Sequence, residues 1–582
     1  MLVADNVTTG LHRALAANAP SGAHLFARAF ARHGVTVAFG QSIPSLFHLV
    51  APAHGITQAV YRAENAGGAM ADAYARVTNR IALVTGQNGP AATLLVAPLA
   101  EAMKTSVPVI ALVQEITPDI ADRNAFQELD HFALFSGVAK WVRRVDDVER
   151  IDDYVDMAVT MATTGRPGPV VLLAPSDVLA AVAKGEPTRR AELGTFPLDR
   201  VAPDRAAVER AAGLIAAARR PLVIAGGGVH LSQAQQALAE LQERFSLPVA
   251  TTLMGKGVVD ENHPLSLGVV GYFMGEGARG EKLHDFVRDA DVILLIGNRT
   301  NQNGTNSWRL YPRGATYIHL DIDGHEIGRN YEAVRLAGDA KAGIACLAEA
   351  LDACDLSLRR AGRDGFAAEI AAAVAHFRSR FAAHGRATGS PVRPERVMLE
   401  IDRILTPDTI VVSDASYSSI WMGNYLTARA PGMRFISPRG LAGLGWGLPM
   451  AIGAKLGRPD QPVICVSGDG GFAHCWAEIE TAVRLSLQIP IIVLNNQILG
   501  YQKDAEDAFF GAHTEACHFA PVDHAAIAMA CGAKGIRVGN AGAIGSALAE
   551  AFEHRGPTVI DVVTDPRARP PISIFRGRFT EA

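Results

Sequence analysis

Three doubly wound parallel α/β sheets in series are the architecture that this 582-residue chain predicts. Three observations lead there. Apolar runs of strand length alternate with segments of helical apolar spacing along 21–182, 201–352 and 390–575. Those stretches are parted by a polar, irregular segment, AKGEPTRRAELGTFPLDR (183–200), and by an Ala/Arg-rich one near 355–392 that reads as a helix and connector. Finally, residues 461–496 pass from strand through a glycine turn to helix and strand, a β-α-β unit whose two strands run parallel. One core does not serve a chain this long, because single cores stop growing at about 250–300 residues.

In the first stretch the strand-like runs are ITQAVYR (56–62), IALVTG (81–86), VPVIALV (107–113) and GPVVLLAP (168–175). The second carries PLVIAGGG (221–228), LPVATTL (247–253), DVILLIG (291–297) and TYIHLDID (316–323). The third carries TIVVSDAS (409–416), VICVSGDG (463–470), PIIVLNN (490–496) and PTVIDVVTD (557–565). These runs are apolar almost throughout, as in sheets covered on both faces. AHCWAEIETAVRLSL (473–487) has helical spacing and joins the second and third of the last group.

Composition narrows the function. Lys and Arg number 55 against 59 Asp and Glu, a net charge of −4, which offers no basic field for nucleic acid. No apolar run approaches a membrane span, and the first twenty residues lack the basic-then-apolar pattern of a signal. Six cysteines (346, 354, 465, 475, 517 and 531) show no paired metal spacing, so a reduced, cytoplasmic protein is expected.

The most informative stretch is GDGGFAHCWAEIETAVRLSLQIPIIVLNN (468–496). Parallel strands end at one edge of the sheet, so Asp469 and Asn496 meet there although 27 positions separate them. A carboxylate and an amide oxygen at one spot suit a hard cation, and the N–H groups at a helix start suit an anion. Together they make a site for a magnesium diphosphate. His474 and Cys475, within the same motif, have no partner pair and read as packing residues rather than metal ligands.

On these residues the chain resembles the thiamine diphosphate (ThDP) enzymes of the acetolactate synthase-like superfamily, over nearly its whole length. The resemblance implies a pyrimidine-binding domain, a middle domain and a diphosphate-binding domain. It implies that Asp469, the Asn496 side chain and the Ile498 carbonyl ligate Mg2+, with Gly470 and Gly471 leaving room for the diphosphate. Ser416 and Tyr417 stand where the family has a Gln-His pair of diphosphate contacts. VYRAENAGGAMADAYARVTN (60–79) resembles the block whose glutamate, here Glu64, hydrogen-bonds the aminopyrimidine ring; Ala63 and Asn65 replace its histidine and glutamine. SPRGLAGLGWGLPMAIGAKLG (437–457) resembles the segment that holds ThDP bent, with Leu444 under the bend. Phe126 and Gln127, in NAFQELDH, match a segment that reaches the active site.

The departures concern the substrate. Gln87 and Asn88 stand where the family has Thr-Ser before its GPGAT motif. Ala505 stands where biosynthetic acetolactate synthases carry tryptophan, and GNRTNQN (297–303) ends in Asn303 in place of an arginine. Gln41, Gln87, Asn88, Phe126, Gln127 and Ala505 are therefore expected to shape a pocket unlike that of the biosynthetic enzymes. DIDGHEIGRN (321–330) resembles the segment bordering FAD, so a non-redox FAD stays open. The implied reaction is decarboxylation of a 2-keto acid followed by transfer of the acyl anion to a second carbonyl compound. Its alternative is simple decarboxylation to an aldehyde. The implied assembly is a homodimer or a dimer of dimers, with active sites at the subunit interface. A nicotinamide oxidoreductase, suggested by GGGVHL (226–231), would leave Glu64, Asp469 and Asn496 unexplained.

Overall fold

The computed structural model describes residues 20–185 and 188–575. Strands β1 (Val37–Phe39), β2 (Thr57–Ala59), β3 (Ala82–Gly86), β4 (Val109–Glu115), β5 (Trp141–Arg144) and β6 (Val170–Pro175) form the first sheet, in the order β2-β1-β3-β4-β6-β5. The second holds β7 (Pro221–Ala225), β8 (Val249–Thr251), β9 (Ser266–Val269), β10 (Val292–Ile296), β11 (Thr316–Asp321) and β12 (Ala333–Ala337), ordered β12-β11-β10-β7-β8-β9. The third holds β13 (Ile410–Ser413), β14 (Phe435–Ile436), β15 (Val463–Gly468), β16 (Pro490–Asn495), β17 (Lys534–Val538) and β18 (Thr558–Val563), ordered β14-β13-β15-β16-β18-β17. Neighbouring strands pair parallel throughout. The predicted class, three parallel α/β sheets in succession, is the one observed. Among the described residues no helix is long and apolar enough to cross a membrane.

Contacts gather the chain into two compact units. The first sheet lies in one, which spans residues up to 199 together with 438–459 and 480–485. The second and third sheets share the other, formed by 200–437, 460–479 and 486 onward.

In the first unit, helix α1 (Glu64–Thr78) is rich in Gly and Ala and is buried along most of its length. Its end is set by Asn79, whose φ of 52° turns the chain into the left-handed region. Helix α2 (Pro90–Thr105) begins with proline at its first position, where the missing N–H costs nothing. In the second unit, α3 (Ser357–Gly385) is the helix expected near 355–392, and α4 (Tyr417–Tyr425) follows β13. Helix α5 (Gly447–Gly457) belongs to the first unit and lies on α1. A Cβ at Gly453 would fall 2.0 Å from the Met70 carbonyl oxygen, so the two backbones touch and only glycine fits.

The motif helix differs from the expectation of one helix over 473–487. It is two pieces, α6 (Asp469–Ala473) and α7 (Ala477–Arg484). The turn between them places Trp476 against His524: its indole N–H donates to Nδ1 at 3.2 Å, with ring centroids 5.7 Å apart. Helix α8 (Gly500–Phe510) follows β16.

Candidate active site

In the second unit, β15 and β16 are registered so that Gly468 lies opposite Leu494. Both chains leave the sheet at that edge, and the Asp469 carboxylate meets the start of the segment after Asn496. Its Oδ2 accepts the Gln497 N–H at 2.6 Å, while Oδ1 accepts that of Gly470 at 2.9 Å. Gln497 takes a φ of 61°, which turns the chain sharply between Asn496 and Ile498. Asn496 Oδ1 accepts the Ile498 N–H at 3.2 Å. Ile498 forms an isolated bridge with His518, and that bridge uses the Gln497 carbonyl and the Leu499 N–H. The Ile498 carbonyl stays outside it.

Burial pushes the Asp469 carboxyl up to about 6, and among the described residues no cationic side chain is paired with it. A buried carboxylate without a counter-charge, beside an amide oxygen and a backbone carbonyl, is a hard oxygen set that suits Mg2+. The residues fit the metal that the motif implies. Among the described residues no group of three or more His, Cys, Asp or Glu offers a different metal site.

Around this edge, a Cβ at Gly470 would meet the Leu499 and Phe519 side chains at 2.9 Å. Gly471 is buried in α6. Ser416 precedes α4 with φ 64° and ψ −145°, a conformation nearly confined to glycine. Tyr417 packs on Gly500, and its hydroxyl is donated to Asp504 Oδ2 at 2.5 Å. Arg569 Nε reaches the other oxygen of Asp504 at 3.1 Å. Ala505, next in α8, is half-buried. Asp504 and Arg569 were not singled out from the sequence, because nothing near either marks a partner 65 positions away.

The first unit assembles the remaining residues. Glu64 is the first residue of α1, and its side chain bonds no described residue. A free carboxylate at a helix start is favoured by the helix dipole. Gln41 donates to the Arg62 carbonyl at 2.8 Å, which holds it close to Glu64 along the chain. Asn88 is buried and donates its amide to the carbonyls of Gln127 at 3.1 Å and Phe126 at 3.4 Å. Gln87 is half-buried with a side chain bonded to no described residue, while Phe126 is 85% exposed. Leu444 is half-buried ahead of α5. The segment before it is clamped by Glu101, buried in α2, whose two oxygens accept the N–H groups of Gly440 at 2.7 Å and Leu441 at 2.6 Å. Glu101 lies mid-helix with no motif around it, so only the fold reveals the clamp.

The glycine run of the middle sheet is consumed internally. A Cβ at Gly226 would lie 2.2 Å from the Gly297 carbonyl, and one at Gly228 would lie 2.7 Å from the Gly297 Cα. Those glycines let two loops touch, which is a different task from cradling a dinucleotide. Cys475 is buried and His474 exposed.

Known proteins match in the same order. Residues 20–134 match the thiamine pyrophosphate enzyme N-terminal TPP binding domain, 208–347 the central domain and 414–562 the C-terminal TPP binding domain. The chain is 32% identical over 565 residues to a probable acetolactate synthase large subunit of Methanococcus aeolicus, covering 94% of this chain and 92% of that protein. It is 32% identical over 568 residues to the acetolactate synthase large subunit of Parasynechococcus marenigrum, covering 94% and 88%. Against the acetolactate synthase isozyme 2 large subunit of Escherichia coli the identity is 28% over 552 residues, covering 94% and 96%. The two anchors, a carboxylate opening α1 and an Asp–Asn pair at the β15–β16 edge, thus sit in the two TPP binding domains, and the chain belongs to the thiamine pyrophosphate enzymes as an acetolactate synthase-like, ThDP-dependent member.

Proposed function

We propose that this enzyme is a carboligase that decarboxylates a pyruvate-like 2-keto acid and transfers the acyl anion to a second carbonyl compound. The observation that supports it most is the β15–β16 edge, where Asp469 after one strand and Asn496 and the Ile498 carbonyl after the next offer three hard oxygens. Those three would hold Mg2+, with Gly470, Gly471, Ser416, Tyr417 and the first N–H groups of α6 beside the diphosphate. Tyr417 would act there through its backbone and ring, since its hydroxyl is given to Asp504.

Bound ThDP supplies a nucleophilic carbon and the electron sink for decarboxylation. The protein's own contribution begins at Glu64, whose carboxyl would exchange a hydrogen bond with the aminopyrimidine and so set its protonation state. Leu444 would fill space under the bent cofactor. Gln41, Gln87, Phe126, Gln127 and Ala505 would border the substrate. Asn88, with its amide spent on backbone carbonyls, would support that border from behind.

A homodimer or dimer of dimers with active sites at the subunit interface is the proposed assembly. Among the described residues none of the six cysteines forms a disulfide, and a reduced, cytoplasmic setting is the proposed one.

The test is a proton NMR time course of pyruvate with the protein, ThDP and Mg2+, beside Glu64→Gln. Acetolactate is the expected product, falling by about 10²–10⁴ in the variant, the usual range for a lost acid–base group. Acetaldehyde would replace carboligation by simple decarboxylation. Unchanged pyruvate on ThDP-loaded protein would exclude pyruvate as the donor.

A further inference from the structure

Behind the substrate border of the first unit lies a buried relay that the proposed mechanism does not use; the inference from it rests on that proposal. Glu115 ends β4, and His131 opens a short helical turn 16 positions later. Both are buried, His131 to within 1% of its surface. His131 Nδ1 and Glu115 Oε2 are 2.9 Å apart, and Glu115 Oε1 accepts the Ile116 N–H at 3.0 Å. On the far side of the ring, Nε2 accepts the Gly89 N–H at 3.1 Å. An acceptor at Nε2 and a carboxylate at Nδ1 assign the neutral Nδ1–H tautomer.

Gly89 is the backbone hinge of this arrangement. Its φ of 68° and ψ of −112° exclude other residues, and a Cβ there would lie 2.8 Å from the Gln127 Cβ. Asn88 closes the same junction through the carbonyls of Phe126 and Gln127. Gln127 is itself held at φ 62°, a conformation strained for a residue with a side chain, which persists only where its surroundings fix it. The loop 87–89 and the segment 126–127 are therefore one bonded ledge, locked from within by His131 and Asn88. The side chain on loop 87–89 bonded to no described residue is that of Gln87.

We propose that Glu115 and His131 are positioning residues that set Gln87 against the 2-keto acid, so that Gln87, rather than Asn88, selects the substrate at this edge. Buried partners that orient a working group are worth a great deal, because a misplacement of about 1 Å costs on the order of 10²-fold.

The test is a double-mutant cycle on the ThDP- and Mg2+-loaded enzyme with pyruvate as the probe. His131→Leu is expected to raise KM by about 10-fold to 100-fold, with kcat held within about threefold. His131→Gln keeps one donor for Glu115 and one acceptor for Gly89, so it should restore most of the loss. Gln87→Ala should raise KM comparably, and adding His131→Leu to it should have little further effect. Amide hydrogen exchange over 87–89 should quicken in His131→Leu and return toward wild type in His131→Gln. If His131→Leu does not fold, Glu115→Gln, which sets an amide against the Ile116 N–H, replaces it in the cycle.

Additive effects, or an unchanged KM with faster exchange, would reduce the relay to scaffolding and overturn the proposal. Exchange at 87–89 that ignores His131 would overturn it whatever the substrate. A wild type inert toward pyruvate but turning over another 2-keto acid would sink the donor assignment alone, and the cycle run on that acid decides the relay.

Discussion

Asp469 shows how much one residue can carry. Among the described residues its buried carboxylate has only backbone N–H partners, an arrangement that is costly until a cation arrives. Asp469→Asn would keep the shape and remove the charge. Retention of ThDP after gel filtration in Mg2+ should then fall by more than about 100-fold, beyond the 10–100-fold typical of losing an outer partner. Asp72 makes a different prediction. Burial, with Arg76 opposing and Glu101 adding, pushes its carboxyl from 3.8 to about 6. Between those values the folded chain holds a proton that the unfolded chain has released. Stability from this group is therefore complete below about pH 4 and is lost as pH rises toward 6, on the order of 3 kcal/mol in all. Asp72→Asn has no such slope. Its urea midpoint relative to wild type should move in the variant's favour between pH 4 and pH 6.5, and an unchanged difference would refute the assignment.

At the scale of elements, what was legible follows from exposure. The apolar runs located the interior strands other than the three-residue β1, because a parallel strand covered on both faces must be apolar along its length. Among edge strands β2 was read, within 56–62, and the others hid. Both β5 and β12 mix exposed charge into their pattern, Gly268 interrupts β9, and β14 is too short for any periodicity. The candidate site divides the same way. Asp469 and Asn496 were visible because a local β-α-β unit joins them. Glu101, Glu115, His131 and Asp504 were not, because their partners come from elsewhere in the fold. Packing of α1 on α5 is equally invisible in a glycine-rich stretch, yet it is specific. Gly453→Val should separate the helices, since its Cβ would meet the Met70 carbonyl oxygen. A loss of about 1–3 kcal/mol or more is expected for such overpacking. Glu64 opens α1 and Leu444 precedes α5, so activity should fall further than thermal stability alone accounts for.

The larger compact unit holds two sheets, and a buried ion pair helps fasten them. Lys256, in the loop after β8, places Nζ 2.7 and 2.8 Å from the two oxygens of Glu261, with both side chains at most 2% exposed. Glu261 also accepts the Ala428 N–H at 3.0 Å, and Lys256 lies 4.9 Å from the Phe435 ring centroid, so the pair grips the segment leading into β14. Next to it, a Cβ at Gly257 would lie 2.0 Å from the Met433 carbonyl oxygen, which keeps the two loops in backbone contact. Such a pair is a weak source of net stability but a severe loss when halved, because the remaining charge stays buried. Lys256→Met should cost about 3–5 kcal/mol in urea unfolding of this unit, and Glu261→Leu alone a similar amount. The double variant should recover most of it, as apolar groups can fill the space that both charges vacate. If the two losses simply add, the pair is not the fastening, and the Gly257–Met433 approach with the apolar contacts around it must hold these sheets together.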